Sequence, residues 1–285
     1  MFYLIQLLNG IQYGLLLFLL ASGLTLIFGI MGVINLAHGS FYMVGAYLAY
    51  WLASATGSLW LAIPLGIGVA LILGIVLETT LFSRLYKRDH LYQVLLTFGL
   101  ILMFEELRSI LFGDDVHGVA VPPLLNYSVR LTDTLSYPVY RLFVTAVCLL
   151  ITGVMYLLVQ KTRLGMMIRA GSSNREMAAS LGVNIPLLFA LVFAFGTALA
   201  AFAGMIAAPI SSVFPGMGNQ ILIICFVVVV IGGIGSINGA MIASLAIGIA
   251  DTLGKVLAPE LSGIAVYLLM AIILIWRPQG LANKA

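Results

Sequence analysis

The fold class this sequence predicts is all-α integral membrane, with about eight transmembrane helices, glycine-rich broken helices near the bilayer centre and pseudo-repeated halves. Three observations carry it. Apolar residues fill 62% of the 285 positions and charged residues 8%, whereas a soluble domain carries roughly 25% charged residues to cover its surface. No Asp, Glu, Lys or Arg precedes Glu78, and none lies between Glu176 and Asp251. Uncharged runs of that length suit bilayer-spanning helices of about 20 residues. The alternation over about 10 residues that marks barrel strands is missing.

Taken in order, the apolar spans fall at 4–30, 39–55, 59–82, 91–112, 139–159, 187–209, 219–250 and 261–277. The first is long and has neither a basic leader nor a small-residue cleavage site, so it reads as a retained span rather than a signal peptide. The 219–250 run is too long for one simple span and is interrupted by glycines at 232–239. It is either one broken helix or two short ones, which makes the count eight or nine. The chain, 1–285, reads as a single transmembrane domain. Cys148 and Cys225 lie inside apolar runs and read as small buried hydrophobes.

The net charge of +3 matters less than its placement. Arg84, Lys87 and Arg88 form one basic cluster, Lys161, Arg163, Arg169 and Arg175 a second, and Arg277 and Lys284 flank the C-terminus. Basic loops stay in the cytosol. The stretch from Glu105 to Arg141 is net acidic, which places the loop 113–138 outside. Near the span ends, Glu78 precedes Arg84, Glu105 and Glu106 precede Arg108, and Asp251 stands one helical turn before Lys255. These acids read as locally paired with those bases.

The segment 160–186 is the longest polar stretch on the expected cytosolic side. Its apolar residues recur with helical spacing, and Ser172, Ser173 or Asn174 could cap a short helix from near Arg175 to Gly182. It reads as a partner-docking helix or, more simply, as a connector.

Two glycine-rich interruptions look related. The first runs from Gly32 through Asn35, His38 and Gly39 to Ser40. The second runs through Gly232, Gly233, Gly235, Ser236, Asn238 and Gly239. His38-Gly39 matches Asn238-Gly239 in place, and Ala46 matches Ala246. Corresponding interruptions in two halves point to a transporter's central path. A helix broken at membrane depth must be buried in protein or line a wet cavity. Its N-terminal N–H groups can receive a carboxylate without a charged side chain. Two readings therefore stand side by side: lining of a substrate pathway, and close packing through small residues. His38 could equally hydrogen-bond a neighbouring carbonyl. No catalytic constellation, paired-His metal motif or phosphate-cradling Gly-x-x-x-x-Gly-Lys-Ser/Thr occurs, so neither an enzyme nor an ATP-binding subunit is expected.

Several stretches resemble the LivH-type permeases of branched-chain amino-acid ABC transporters: Gly23–Gly29 with Val33–Gly39; Arg169-Ala170 with Asn174, Ala178, Leu181 and Gly182; Gly232–Gly239; and Arg277-Pro278-Gln279-Gly280-Leu281. The resemblance covers nearly the whole chain in the right order. It implies an importer of the bacterial inner membrane with a second homologous permease subunit, two cytosolic ATPases that hold ATP and Mg, and an extracytoplasmic binding protein. No cofactor, metal or nucleic acid is implied for this chain. It also implies a coupling role for 163–182. Glu176, Ala178 and Gly182 fit the family's Glu-x-Ala-x-x-x-Gly spacing, although Met177 stands where alanine is usual. Permeases resembling this one also serve urea, amides and other amino acids. A secondary transporter or channel working without an ATPase is the alternative from another class.

Overall fold

The computed structural model describes residues 2–86, 88–132, 135–257, 259–277 and 280–281. Lys87, Asp133, Pro278, Gln279 and Lys284, which enter the charge pattern or the family motif, lie outside the described residues. The elements in order are helices α1 (Phe2–Met31), α2 (His38–Thr56), α3 (Leu59–Thr80) and α4 (His90–Phe112), strands β1 (Ser128–Thr132) and β2 (Leu135–Pro138), and helices α5 (Val139–Lys161), α6 (Arg163–Ser173), α7 (Arg175–Ser180), α8 (Ile185–Ser211), α9 (Met217–Gly232), α10 (Ile237–Leu257) and α11 (Ser262–Trp276). The long 219–250 run is thus two helices, α9 and α10. Five of the described helices are long and apolar enough to cross a membrane: those starting at Tyr3, Leu59, Val139, Ile185 and Ile237. Met217–Gly232 and Gly263–Trp276 are shorter apolar helices. The chain is a multi-pass membrane protein.

The pattern of burial follows the pattern of residues. A helix that is apolar all round belongs inside a bundle, and α1 carries no charge on any face. In its most apolar window 89% is buried, against 22% for α5. So α1 is the central post, with α10, α8 and α5 along its sides, while α8 also packs on α2 and α3. Gly10 of α1 lies against Gly248 and Ile249, Gly14 against Ser244, and Gly29 against Gly235. Helices α1 and α10 therefore run antiparallel with their backbones in contact. The outward faces of α3, α4 and α5 present Ile72, Leu95, Leu102 and Leu150, as faces toward hydrocarbon must.

The bundle has two distinguishable ends. At one, Asn9 near the start of α1 accepts hydrogen bonds from the Tyr137 hydroxyl and the Arg141 guanidinium, both at 3.1 Å. This end carries the 113–138 segment. It holds an antiparallel hairpin pairing Ser128 with Pro138 and Val129 with Tyr137, where its prolines suggested plain loop. His117 in the same segment bridges to Val213 by two backbone hydrogen bonds of 2.8 Å. At the other end lie α6 and α7.

Two of the expected ion pairs form: Lys255 with Asp251 at 2.6 Å, and Arg108 with Glu105 at 3.4 Å. Arg108 also reaches Asp114 at 2.6 Å, and its guanidinium holds that exposed loop carboxyl below the usual carboxylate range. Glu78 differs. It is buried and accepts the Tyr86 hydroxyl, while Arg84 stays exposed. A phenol costs less to desolvate than a guanidinium, so the buried acid takes the neutral donor.

Candidate functional site

The first interruption is a deep one. α1 stops at Met31, Gly32 turns with φ 63°, and residues 32–37 leave the helix. Asn35 opens the next helix: its Oδ1 accepts the Ala37 N–H at 3.1 Å and its carbonyl accepts the His38 N–H at 3.3 Å. His38 Nε2 lies 2.9 Å from the carbonyl oxygen of Leu20. A carbonyl only accepts, so Nε2 carries the hydrogen and Nδ1 is the acceptor. Leu20 stands eleven residues before Met31, about 16 Å back along the helix at 1.5 Å per residue. So α2 begins beside the middle of α1.

Asn35 and His38 are fully buried and Ser40 nearly so. Asn35 Nδ2 and His38 Nδ1 have no hydrogen-bond partner among the described residues. Around them the helices meet through small residues. A Cβ on Gly39 would run into the Gly218 carbonyl of α9, and one on Gly45 would run into the Ala201 backbone of α8. The packing expectation is therefore met at Gly39, whose absent side chain is what lets α9 approach.

The second interruption is shallow. Residues 233–236 turn the chain from α9 into α10. Ser236 caps α10: its hydroxyl accepts the Gly239 N–H at 3.1 Å and its carbonyl accepts the Ala240 N–H at 2.9 Å. Gly232 lets Ala240 come close, and Gly235 lies against Gly29, two residues before the end of α1. The Leu281 N–H closes onto the Ile231 carbonyl at 2.8 Å. Depth within the helix bundle thus belongs to the first interruption only. Four residues suffice to reverse an antiparallel helix pair and leave no length to re-enter the bundle. The structure gathers Asn35, His38, Gly39 and Ser40 at the start of α2. It gathers Gly232, Gly233, Gly235, Ser236 and Asn238 at the α9–α10 turn, with Gly235 and Asn238 exposed. It does not bring the two groups together.

In the 160–186 segment the sequence signals are realised closely. Thr162 caps α6 by accepting the Gly165 N–H at 3.2 Å, and Asn174 caps α7 by accepting the Met177 N–H at 3.0 Å. α7 ends at Ser180, and Gly182 follows at φ 87°. The Gly182 N–H bonds the Ala179 carbonyl and the Val183 N–H the Ala178 carbonyl, the paired bonding that a left-handed glycine permits at a helix end. Arg169 donates to the Val159 carbonyl and so ties α6 to the end of α5. Ala178 is buried against the bundle, while Arg163 and Glu176 are exposed. Met177 is 64% exposed and Leu181 78%, an apolar edge that none of the described residues covers.

Arg175 is the residue that sequence reasoning left out of this group. Its guanidinium donates to the Ile30 carbonyl at 3.1 Å and lies 5.3 Å from the Phe189 ring centroid. It thus joins α7 to the last turn of α1, directly before the first interruption. A cation in the first turn of a helix opposes the helix dipole. That misplacement was the available signal that Arg175 serves a neighbour rather than its own helix. Among the described residues no cluster of three or more His, Cys, Asp or Glu could hold a metal ion.

Comparison with known proteins fits this architecture. Residues 6–274 match the family described as "Branched-chain amino acid transport system / permease component". The high-affinity branched-chain amino acid transport system permease protein BraD of Pseudomonas aeruginosa is 30% identical, over 99% of this chain and 96% of its own. The corresponding protein LivH of Escherichia coli (strain K12) is 29% identical over 100% and 96%. LivM of Salmonella typhimurium is 27% identical over 92% of this chain and 67% of its own. With the family model matched along almost its whole length, the chain belongs to the family of permease components of branched-chain amino acid transport systems.

Proposed function

We propose that this chain is the membrane-spanning permease subunit of an ATP-driven ABC importer that carries leucine, isoleucine and valine across the bacterial cytoplasmic (inner) membrane. Family membership along residues 6–274 carries the reading. The subunit pairs with a second, homologous permease, and similarity to both LivH and LivM supports a heterodimer. Two cytosolic ATPases hold the ATP and Mg, and an extracytoplasmic protein delivers the substrate. The 113–138 end faces outward and the α6–α7 end faces the ATPases.

The residues divide the labour. Arg163, Arg169, Asn174, Glu176, Ala178 and Gly182 build the coupling element. Asn174 and Gly182 fix its two ends, and Met177 and Leu181 form the edge presented to an ATPase. Arg175 passes its displacement to the Ile30 carbonyl and so to the start of the 32–37 segment. There Asn35 Nδ2 and His38 Nδ1 have no partner among the described residues. Buried polar atoms are rarely left so. One can donate to a carboxylate and the other can accept from an ammonium when the segment moves, with Ser40 and the backbone at Gly39 alongside. At the second interruption Gly232, Gly233, Gly235, Ser236 and Asn238 form the inner rim of the path. A zwitterionic head crossing bare hydrocarbon would cost several kcal/mol or more, and neutral groups such as these replace its water without holding it.

Reconstitution tests the reading. Proteoliposomes containing both permeases and the ATPases are expected to take up labelled leucine only with ATP and binding protein. Uptake that persists without ATP or ATPases would identify a secondary transporter or channel instead. Competition by urea or short amides at equal strength would move the substrate class. Replacing Gly182 or Arg169 is expected to lower transport-linked ATP hydrolysis with membrane insertion intact, and unchanged coupling in both variants would remove the docking role.

A further inference from the structure

We propose that a cavity of about 360 Å³ at the outer end of the bundle is a waiting site for a zwitterionic α-amino acid. The proposal deepens the importer reading and rests on it. Arg141 from the first turn of α5 lines the cavity, together with Asp251 and Lys255 from the last turns of α10. Its size lies within the range of about 300–1,000 Å³ typical of small-ligand sites.

Each part of an aliphatic amino acid finds a counterpart here. Arg141 is half-buried, and among the described residues neutral oxygens hold it: Oδ1 of Asn9 at 3.1 Å and Oε1 of Gln12 at 3.4 Å. Among the described residues no carboxylate pairs with it. Cations withdrawn from water are normally paired, and a guanidinium is shaped to grip a carboxylate by two parallel bonds. Asp251 is the complementary charge. It is buried, and its one cationic partner is Lys255 at 2.6 Å, whose side chain is largely exposed. An arriving ammonium can displace that of Lys255, which swings into water, so Asp251 exchanges one cation for another. Leu16, Ile210 and Val256 also line the cavity and give a branched aliphatic side chain an apolar wall. Two positive charges and one negative leave the empty cavity with an excess that a carboxylate neutralises.

The experiment is equilibrium binding to the permease–ATPase complex in nanodiscs, without binding protein, with ATP-driven leucine uptake measured on the same preparation reconstituted into proteoliposomes with binding protein supplied. The probes are L-leucine, leucinamide, which lacks the carboxylate, and N-acetyl-leucine, which lacks the ammonium. Leucine is expected to bind, with each analogue about tenfold weaker or more, the scale of one lost charge-assisted hydrogen bond. Arg141→Gln and Asp251→Asn are expected to weaken leucine by a similar factor, and Lys255→Ala to tighten it. Because Arg141 also ties α5 to α1, the two analogues repeat the test on unaltered protein. Equal affinity for leucine and leucinamide, or leucine binding undiminished in both Arg141→Gln and Asp251→Asn, overturns the site. No leucine binding in a complex that still drives uptake overturns the site and leaves the importer intact. A wild-type complex that drives no leucine uptake at all overturns the importer reading itself.

Discussion

At 32–37 six residues carry the chain from the end of α1 back to the depth of Leu20, whereas at 233–236 four residues turn it round beside Gly29. Glycine opens both interruptions, at Gly32 and Gly232, and glycine follows again at Gly39 and Gly239. The side chains between the glycines make the difference. Asn35 holds the start of α2 by its amide, and His38 anchors it to a carbonyl in the middle of a neighbouring helix. In the second interruption Ser236 caps α10 on the spot, and Asn238 points to the surface. Glycines allow a break, and the polar residues among them decide how deep it goes.

Substitutions can break or sharpen that contrast. Gly39→Ala puts a Cβ into the Gly218 carbonyl and is expected to cost about 3 kcal/mol, the upper end for overpacking a tight contact. The thermal midpoint of the purified complex reads it. Arg175→Gln comes next: losing a charged donor to the Ile30 carbonyl is expected to cost about 2 kcal/mol of coupling. The readout is amino acid transported per ATP hydrolysed, with basal hydrolysis retained. Gly235→Ala has room, since its nearest neighbour is Gly29 Cα at 3.4 Å, but sits at φ 80°. It is expected to cost about 1–2 kcal/mol from backbone strain alone. Ser236→Ala removes the cap of α10 and is expected to cost about 1 kcal/mol, seen as faster amide exchange in that turn. If the two second-interruption variants damage the complex as much as Gly39→Ala, the contrast in depth is wrong.

Much of the architecture was legible because it rests on local rules. Span positions follow from uncharged runs. The bounds of α7 follow from Asn174 and Gly182, each acting within a few residues of itself. The depth of the first interruption was not legible, since it depends on His38 meeting Leu20 eighteen residues away. Nor was the partner of Glu78, because nothing in the sequence tells which of Arg84 and Tyr86 folds back toward a buried acid. The cavity lined by Arg141 and Asp251 was least legible of all. Its charges come from α5 and α10, and Asn9 and Gln12 of α1 hold Arg141. No spacing in the chain links those three places. The hairpin at 128–138 was hidden behind prolines that end it rather than prevent it.

One consequence concerns mechanics. At one end α1 is gripped by Arg175 through Ile30, and near the other it steadies Arg141 through Asn9. A helix of 30 residues reaches about 45 Å, the full thickness of a bilayer with its headgroups. Its flank toward α10 brings the two backbones into contact where Gly10, Gly14 and Gly248 meet. α1 is therefore a single strut between the two ends of the bundle. A displacement imposed on one end of it is carried along one continuous helix to the other.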